Sequence, residues 1–138
     1  IGEQMNTANI QFTLQDIYEL HAQLESAFVL SPGVRDENLL ASAVYTPFQT
    51  FMEKDLYPSI YDKAAQLCYG LANNHPFTDG NKRTALHSMY VYLIINGFDI
   101  TATQQDVENM IIDVAAGNMT NTELAQWLQE NTVEIDAN

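Results

Sequence analysis

Apolar residues recur at helical spacing along most of this chain. Leu14, Ile17, His21, Leu24 and Phe28 fall on one stripe, and Leu39, Leu40, Ala43 and Val44 on a second. Ile60, Ala64, Leu67, Cys68 and Leu71 form a third. Val107, Met110, Ile111 and Val114, followed by Leu124, Trp127 and Leu128, continue the pattern towards the C-terminus. In the middle lies Leu86 to Gly97, the most continuously apolar run of the sequence. The residues from Thr84 to Ile95 read as a helix apolar on nearly every face, the pattern of a helix enclosed by others. Strict alternation is almost absent. The pattern predicts an all-α domain, a compact bundle of about six helices around a central buried helix.

Local chemistry marks the ends of these segments. Thr13-Leu14-Gln15-Asp16, Ser59-Ile60-Tyr61-Asp62, Thr103-Gln104-Gln105-Asp106 and Thr120-Asn121-Thr122-Glu123 have capping-box spacing. Asp36 reads as an N-cap after the break at Ser31-Pro32-Gly33. Asn73-Asn74, Asn96-Gly97 and Gly117-Asn118 read as stops. Between Pro47 and Pro58 the residues Phe48, Phe51, Leu56 and Tyr57 alternate with polar ones, which predicts a loop or short hairpin whose aromatics mainly pack. Residues 1–9 show no periodicity, with Met5 a candidate natural start. The expected domain covers 10–134, and 135–138 form a tail. There is no internal repeat, linker or low-complexity segment.

The chemistry concentrates in His75-Pro76-Phe77-Thr78-Asp79-Gly80-Asn81-Lys82-Arg83-Thr84-Ala85, which runs straight into the apolar segment. Pro76 and Gly80 mark a tight loop. Such a loop brings its side chains to a helix N-terminus, where unpaired N–H groups and the macrodipole favour an anion. His75 can accept a proton near neutral pH. Asp79 is a hard oxygen ligand of the kind Mg2+ takes, or simply an N-cap of the next helix. Gly80 and Asn81 allow amide donors to approach an oxyanion. Lys82 and Arg83 are two of only five Lys and Arg residues in the chain. Cations in a helix's first turn are unfavourable unless an anion binds there, and Arg83 can grip a phosphate with both arms of its fork. Taken together, the residue types fit phosphoryl or nucleotidyl transfer.

Composition narrows this further. A chain of 138 residues with 46% hydrophobic content supports one core. No apolar span is long enough to cross a membrane and no signal-peptide pattern is present, so a cytoplasmic, non-membrane protein is expected. A single cysteine, Cys68, excludes an internal disulfide and reads as an inert buried thiol. The net charge of −13 argues against direct nucleic-acid binding. It favours solubility or a basic partner segment. His21 reads as a core or groove histidine, and His87 as structural. Arg35 either serves the site or pairs with Asp36 or Glu37.

The motif from His75 to Thr84 resembles the signature of the Fic/Doc family. Lys82 and the Thr84-Ala85-Leu86 continuation resemble its death-on-curing (Doc) branch, the toxins of toxin–antitoxin systems. The likeness extends through Pro32-Gly33-Val34-Arg35-Asp36, Asp55-Leu56-Tyr57-Pro58, Lys63-Ala64-Ala65 and Asn96-Gly97, covering roughly residues 10 to 130. The resemblance implies a compact helical fold with a flap ahead of the motif that aligns the target segment. It implies a catalytic set of His75, Asp79 and Arg83, with Asp79 holding Mg2+. Phe77, Gly80, Asn81, Lys82 and Arg83 are then the nucleotide-binding positions for ATP. Lys82 is shared with Doc-type toxins, which phosphorylate elongation factor Tu. Asp79-Gly80 is shared with the AMP-transferring members, which have Gly at the Lys82 position and a second Arg at the Leu86 position. Phosphoryl transfer is therefore the expected activity, with AMP transfer and a catalytically degenerate binding module as alternatives. The self-inhibitory pattern of some Fic proteins, Ser/Thr-x-x-x-Glu-Gly/Asn, is not matched at Glu37, Glu108 or Glu130. The expected restraint is a cognate antitoxin whose Phd-like C-terminal segment folds into an apolar groove between the N-terminal helices.

Overall fold

A computed structural model describes residues 10–135 of the chain. Met5 and the last three residues of the expected tail lie outside the described residues. Six helices form the body: α1 (Leu14–Phe28), α2 (Glu37–Tyr45), α3 (Ile60–Asn74), α4 (Asn81–Ile95), α5 (Gln104–Ala115) and α6 (Asn121–Glu130). A single 3-10 turn at Thr46–Phe48 follows α2. Two small antiparallel pairs complete the described residues. β1 (Thr50–Phe51) pairs with β2 (Lys54–Asp55) as a hairpin, and β3 (Phe98–Ile100) pairs with β4 (Thr132–Glu134).

The predicted caps set the helix starts. Thr13, Ser59 and Thr120 make complete reciprocal boxes with Asp16, Asp62 and Glu123. Thr103 makes only one half of its box, accepting from the Asp106 N–H. Asp36 caps α2 by accepting from the Leu39 N–H at 3.0 Å. Gly97 and Gly117, at φ 93° and 82°, end α4 and α5 in the left-handed conformation that glycine adopts without strain.

The centre of the bundle is shared by two helices. α3 packs on α2, α4, α5 and α6 and buries Lys63 to Cys68 and Gly70 to Ala72. Gly70 permits this enclosure, because a Cβ there would lie 3.2 Å from the Cα and Cβ of Ala43. α4 buries Thr84, Ala85, Ser88, Met89, Tyr92 and Leu93, but Tyr90 and Ile95 on its other side are exposed. The helix expected to be apolar all round is thus enclosed on one side only. Its open side, with α1, β3 and α5, forms a groove.

Two other expectations need correction. Phe28, placed on the buried stripe of α1, is 49% exposed at the end of that helix. Leu39, placed inside, is only partly buried; Leu40, Ala43 and Val44 make the inward face of α2. The hairpin at 50–55 appears as expected, but its aromatics do not all pack. Phe48 leans on Tyr92 with ring centroids 5.8 Å apart. Phe51, Met52 and Leu56 stand exposed.

Candidate active site

The motif loop occupies the gap between the end of α3 and the start of α4. His75 ends α3 as its C-cap, in the left-handed conformation at φ 48°. Its side chain is exposed, while its carbonyl accepts from Arg35 Nε at 2.6 Å. Arg35 Nη2 donates to the Asn74 carbonyl at 3.0 Å. The Arg35 side chain therefore supplies donors to the last carbonyls of α3, where a cation also meets the negative helix end. Arg35 binds the loop and not Asp36 or Glu37. The Arg35 and Asp36 N–H groups both reach the Pro76 carbonyl, at 2.7 and 3.1 Å, and Thr78 N–H reaches the Gly33 carbonyl at 3.1 Å. Val34 and Phe77 form an isolated antiparallel bridge.

Phe77, expected among the nucleotide-binding positions, is 1% exposed. Its ring stacks parallel to that of His21, 3.8 Å between centroids, so it anchors the loop and does not face a ligand. Asn81 is also engaged within the loop. Its Oδ1 accepts from Phe77 N–H at 2.9 Å and its Nδ2 donates to the Phe77 carbonyl at 3.0 Å. The amide fixes the turn from which the first N–H groups of α4 project.

Gly80, not Asp79, is the N-cap of α4, at φ 76°. The left-handed conformation is what calls for glycine here; a Cβ at Gly80 would lie 2.4 Å from Leu30 Cδ1, a methyl at the end of a side chain that can turn aside. Asp79 stands one residue earlier, partly buried. Its Oδ2 accepts from Ser31 N–H at 3.0 Å and its Oδ1 from Gly80 N–H at 2.8 Å. Each oxygen keeps lone-pair capacity. Mg2+ uses one or two carboxylates, completing its shell with waters and substrate phosphates. The single Asp79 carboxylate fits that role. The described residues hold no group of three or more His, Cys, Asp or Glu placed to cage a metal without substrate.

The start of α4 is electrostatically unlike the other helix starts. α1, α2, α3, α5 and α6 each carry an acidic residue in the first turn: Asp16, Glu37, Asp62, Asp106 and Glu123. α4 carries none, makes no side-chain cap, and begins Asn81-Lys82-Arg83. Lys82 and Arg83 are exposed. The helix end therefore keeps its positive potential and adds two side-chain charges to it. The loop thus places Asp79, Lys82 and Arg83 at the start of α4, with His75 at the end of α3 on its other side.

Arg83 also belongs to the groove. Its guanidinium carbon lies 4.0 Å from the centre of the exposed Phe28 ring. Leu24, Phe28, Leu86, Tyr90, Ile100 and Val107 line a space of about 800 Å³, with His87, Asp99 and Glu108 at its polar positions. His87 thus faces the groove.

His21 is the residue the sequence did not connect to the site. It is buried on α1, and its Nε2 lies 2.9 Å from the Asp79 carbonyl oxygen. Only its place on an apolar stripe marked it beforehand. Far below the loop, burial pushes the Cys68 thiol up to about 12, so it stays protonated and inert.

Comparison with known proteins agrees with this construction. The sequence profile of the Fic/DOC family matches residues 11–93, more than half of the chain and every element that builds the loop. "Toxin Doc" of Mycolicibacterium smegmatis (strain ATCC 700084 / mc(2)155) is 48% identical over 69 residues, covering 50% of this chain and 53% of that protein. The chain thus spans about half the length of that curated relative. Among the described residues no helix is long and apolar enough to cross a membrane. A helical bundle with a short hairpin ahead of a His75-to-Arg83 loop, matched over most of its working half, belongs to the Fic/DOC family.

Proposed function

We propose that this chain is a Doc-like toxin that transfers the terminal phosphoryl group of ATP to a hydroxyl of a target protein in the cytoplasm, by resemblance elongation factor Tu. The observation that carries the reading is the start of α4. It is the one described helix start left without an acidic residue, and it presents exposed Lys82 and Arg83 directly after Asp79 and Gly80. Phosphoryl transfer asks little of a protein beyond positioning and charge stabilisation. Gly80 leaves the first N–H groups of α4 free to approach phosphate oxygens, and Lys82 and Arg83 add charge there. Mg2+ held by Asp79 would supply further neutralisation of the phosphates. His75, at the exposed end of α3, takes the proton from the attacking Ser, Thr or Tyr hydroxyl. The exposed edge of β1 and β2 supports a segment of the target.

The test is transfer from γ-labelled or α-labelled ATP to elongation factor Tu, followed by mass spectrometry of the product. An added phosphate supports the reading. An added AMP replaces it with the AMP-transferase alternative, which Asp79-Gly80 favours. No label from either nucleotide leaves a binding module.

The groove supports a partner as well as a substrate. Its apolar floor, with Asp99 and Glu108 on its wall, suits an amphipathic segment carrying basic residues. The groove lies between α1, α4, β3 and α5, not between the N-terminal helices as the sequence suggested, and we assign it to the C-terminal segment of a Phd-like antitoxin. Co-expression of the antitoxin should relieve growth arrest, and its binding should weaken as salt rises.

A further inference from the structure

We propose that His21 is a positioning residue for the motif loop, holding the backbone of Asp79 and thereby the carboxylate. The importance of that carboxylate rests on the reading above; the contacts of His21 do not. The ring is 3% exposed and fixed on both edges and one face. Nε2 is 2.9 Å from the Asp79 carbonyl, which can only accept, so Nε2 carries the hydrogen. Nδ1 is 3.0 Å from Glu25 Oε2, one turn further along α1. The same Glu25 oxygen accepts from Gly33 N–H at 3.0 Å. The ring plane lies within 5° of that of Phe77.

Two of these partners, Phe77 and Asp79, belong to the motif loop, and the third, Glu25, reaches it through Gly33. The Gly33 carbonyl accepts from Thr78 N–H. His21, Glu25, Gly33 and Thr78 are therefore linked in series by polar contacts, and the Thr78–Asp79 peptide bond closes the circuit at the Asp79 carbonyl. The Asp79 carboxylate extends it to Ser31 and Gly80. A histidine kept only for packing would need neither ring nitrogen aimed at an acceptor; a leucine or phenylalanine would serve. Here the residue on α1 sets where the Asp79 peptide sits, and the carboxylate follows from that peptide.

Three substitutions in the full chain separate positioning from packing. His21→Gln keeps an amide donor within reach of the Asp79 carbonyl. His21→Asn places its amide towards Glu25 and loses Asp79. His21→Leu keeps apolar bulk and loses both. The first readout is amide hydrogen exchange at Ser31 and Gly80, measured without nucleotide, so it is independent of any reaction. Exchange there should quicken about tenfold or more in the Asn and Leu variants, with the α3 amides unchanged. The Gln variant should restore protection. The second readout is transfer to the target protein: kcat should fall in the Asn and Leu variants and recover in the Gln variant, with KM for the target unchanged. Unchanged Ser31 and Gly80 exchange in the Leu variant overturns the proposal. So does loss of protection shared equally by the α3 amides, because that is the signature of a merely structural residue. If the loop loosens as expected while the parent chain transfers nothing, the positioning role stands and the transferase reading falls.

Discussion

The hairpin at residues 50–55 leads into α3, and the motif loop at 75–80 leads out of it. The motif loop is tied on all sides: to α1 through His21, to the 31–36 segment through Ser31, Gly33 and Arg35, and to α4 through Asn81. The hairpin is held mainly from one side. Buried Lys63 on α3 reaches Asp55 at 3.0 Å and the Tyr57 carbonyl. Its tip places Met52 and Glu53 at φ 52° and 67°, a turn that suits Asn-Gly far better. Phe51 and Met52 are 67% and 80% exposed. Under the function proposed above, the difference separates two needs. Groups that meet a transition state must be fixed within fractions of an ångström, whereas an edge that receives another protein's segment has to yield to it.

The comparison breaks most sharply at His75. His75→Ala should lower transfer by about 10²–10⁴-fold, the usual contribution of a general base. The melting temperature should stay close to the parent's, because the side chain is exposed. Full activity in a calibrated transfer assay would remove His75 from the mechanism.

Alkaline pH tests the core below the hairpin. Burial, and secondarily the Asp55 charge, raise Tyr92 well above the usual tyrosine range, and burial raises Cys68 from 9.0 to about 12. Above pH 9 the unfolded chain loses the Cys68 proton, and above pH 10 the Tyr92 proton, while the folded chain keeps both. The unfolded state then binds fewer protons, so stability is full below pH 9 and falls as pH rises towards 12. Urea midpoints measured from pH 8 to 11 should decline through this window.

Arg35→Ala and Lys63→Met set the two loops side by side. Arg35→Ala removes the donors that close the end of α3. It should cost about 1–2 kcal/mol in urea unfolding, towards the lower end for charged donors because the residue is exposed. It should also lower kcat, because His75 loses its support. Lys63→Met keeps the buried stem volume and frees a half-exposed Asp55. Its cost should be about 1–3 kcal/mol, because the buried ammonium's bonds to Asp55 and to the Tyr57 carbonyl are both lost, and limited proteolysis at 50–55 should quicken. KM for the protein target should rise while kcat holds. If the two variants show the same kinetic pattern, the division of labour between the loops is wrong.

The smallest effect is a gain. Glu53→Gly relieves a left-handed residue at the hairpin tip and should stabilise the protein by about 0.5–1 kcal/mol. A stiffer tip should also slow proteolysis there. A loss of stability would mean that the Glu53 side chain contributes more than its backbone strain costs.

Much of the scaffold was legible because helix ends are written locally. Thr13, Ser59 and Thr120 find their partners three residues away, and Gly97 and Gly117 need no partner. The pairing of β3 with β4 was not legible. Three-residue strands show no period, and Asp99 meets Val133 only once α5 and α6 have folded back. The enclosure of α3 was masked by its polar letters. Lys63 is buried on the hairpin, and Gln66 accepts from Asn121 at 2.7 Å. Conversely, the apolar run of α4 suggested burial all round, whereas its exposed Tyr90 and partly buried Leu86 line the groove. At the site, residue identities in the motif were plain, but their roles were not. Asn81 and Phe77 turned inward to hold the loop, and His21 found Asp79 across 58 positions of sequence. Contacts of that range leave no spacing for a single sequence to display.

The clash between Gly80 and Leu30 reaches beyond this one molecule. Leu30 follows the end of α1, fifty positions from the motif, yet one of its methyl groups occupies the space a Cβ at residue 80 would need. A side chain at residue 80 would push that methyl aside, so the two positions are coupled to the extent that Leu30 is held in place by its neighbours. Relatives that place alanine or a larger residue at the Gly80 position should carry a smaller or differently branched residue at the Leu30 position. Relatives that keep glycine should tolerate leucine or similar bulk there. A set of aligned family sequences in which the two positions vary independently would show that the α1 end yields more easily than its packing suggests.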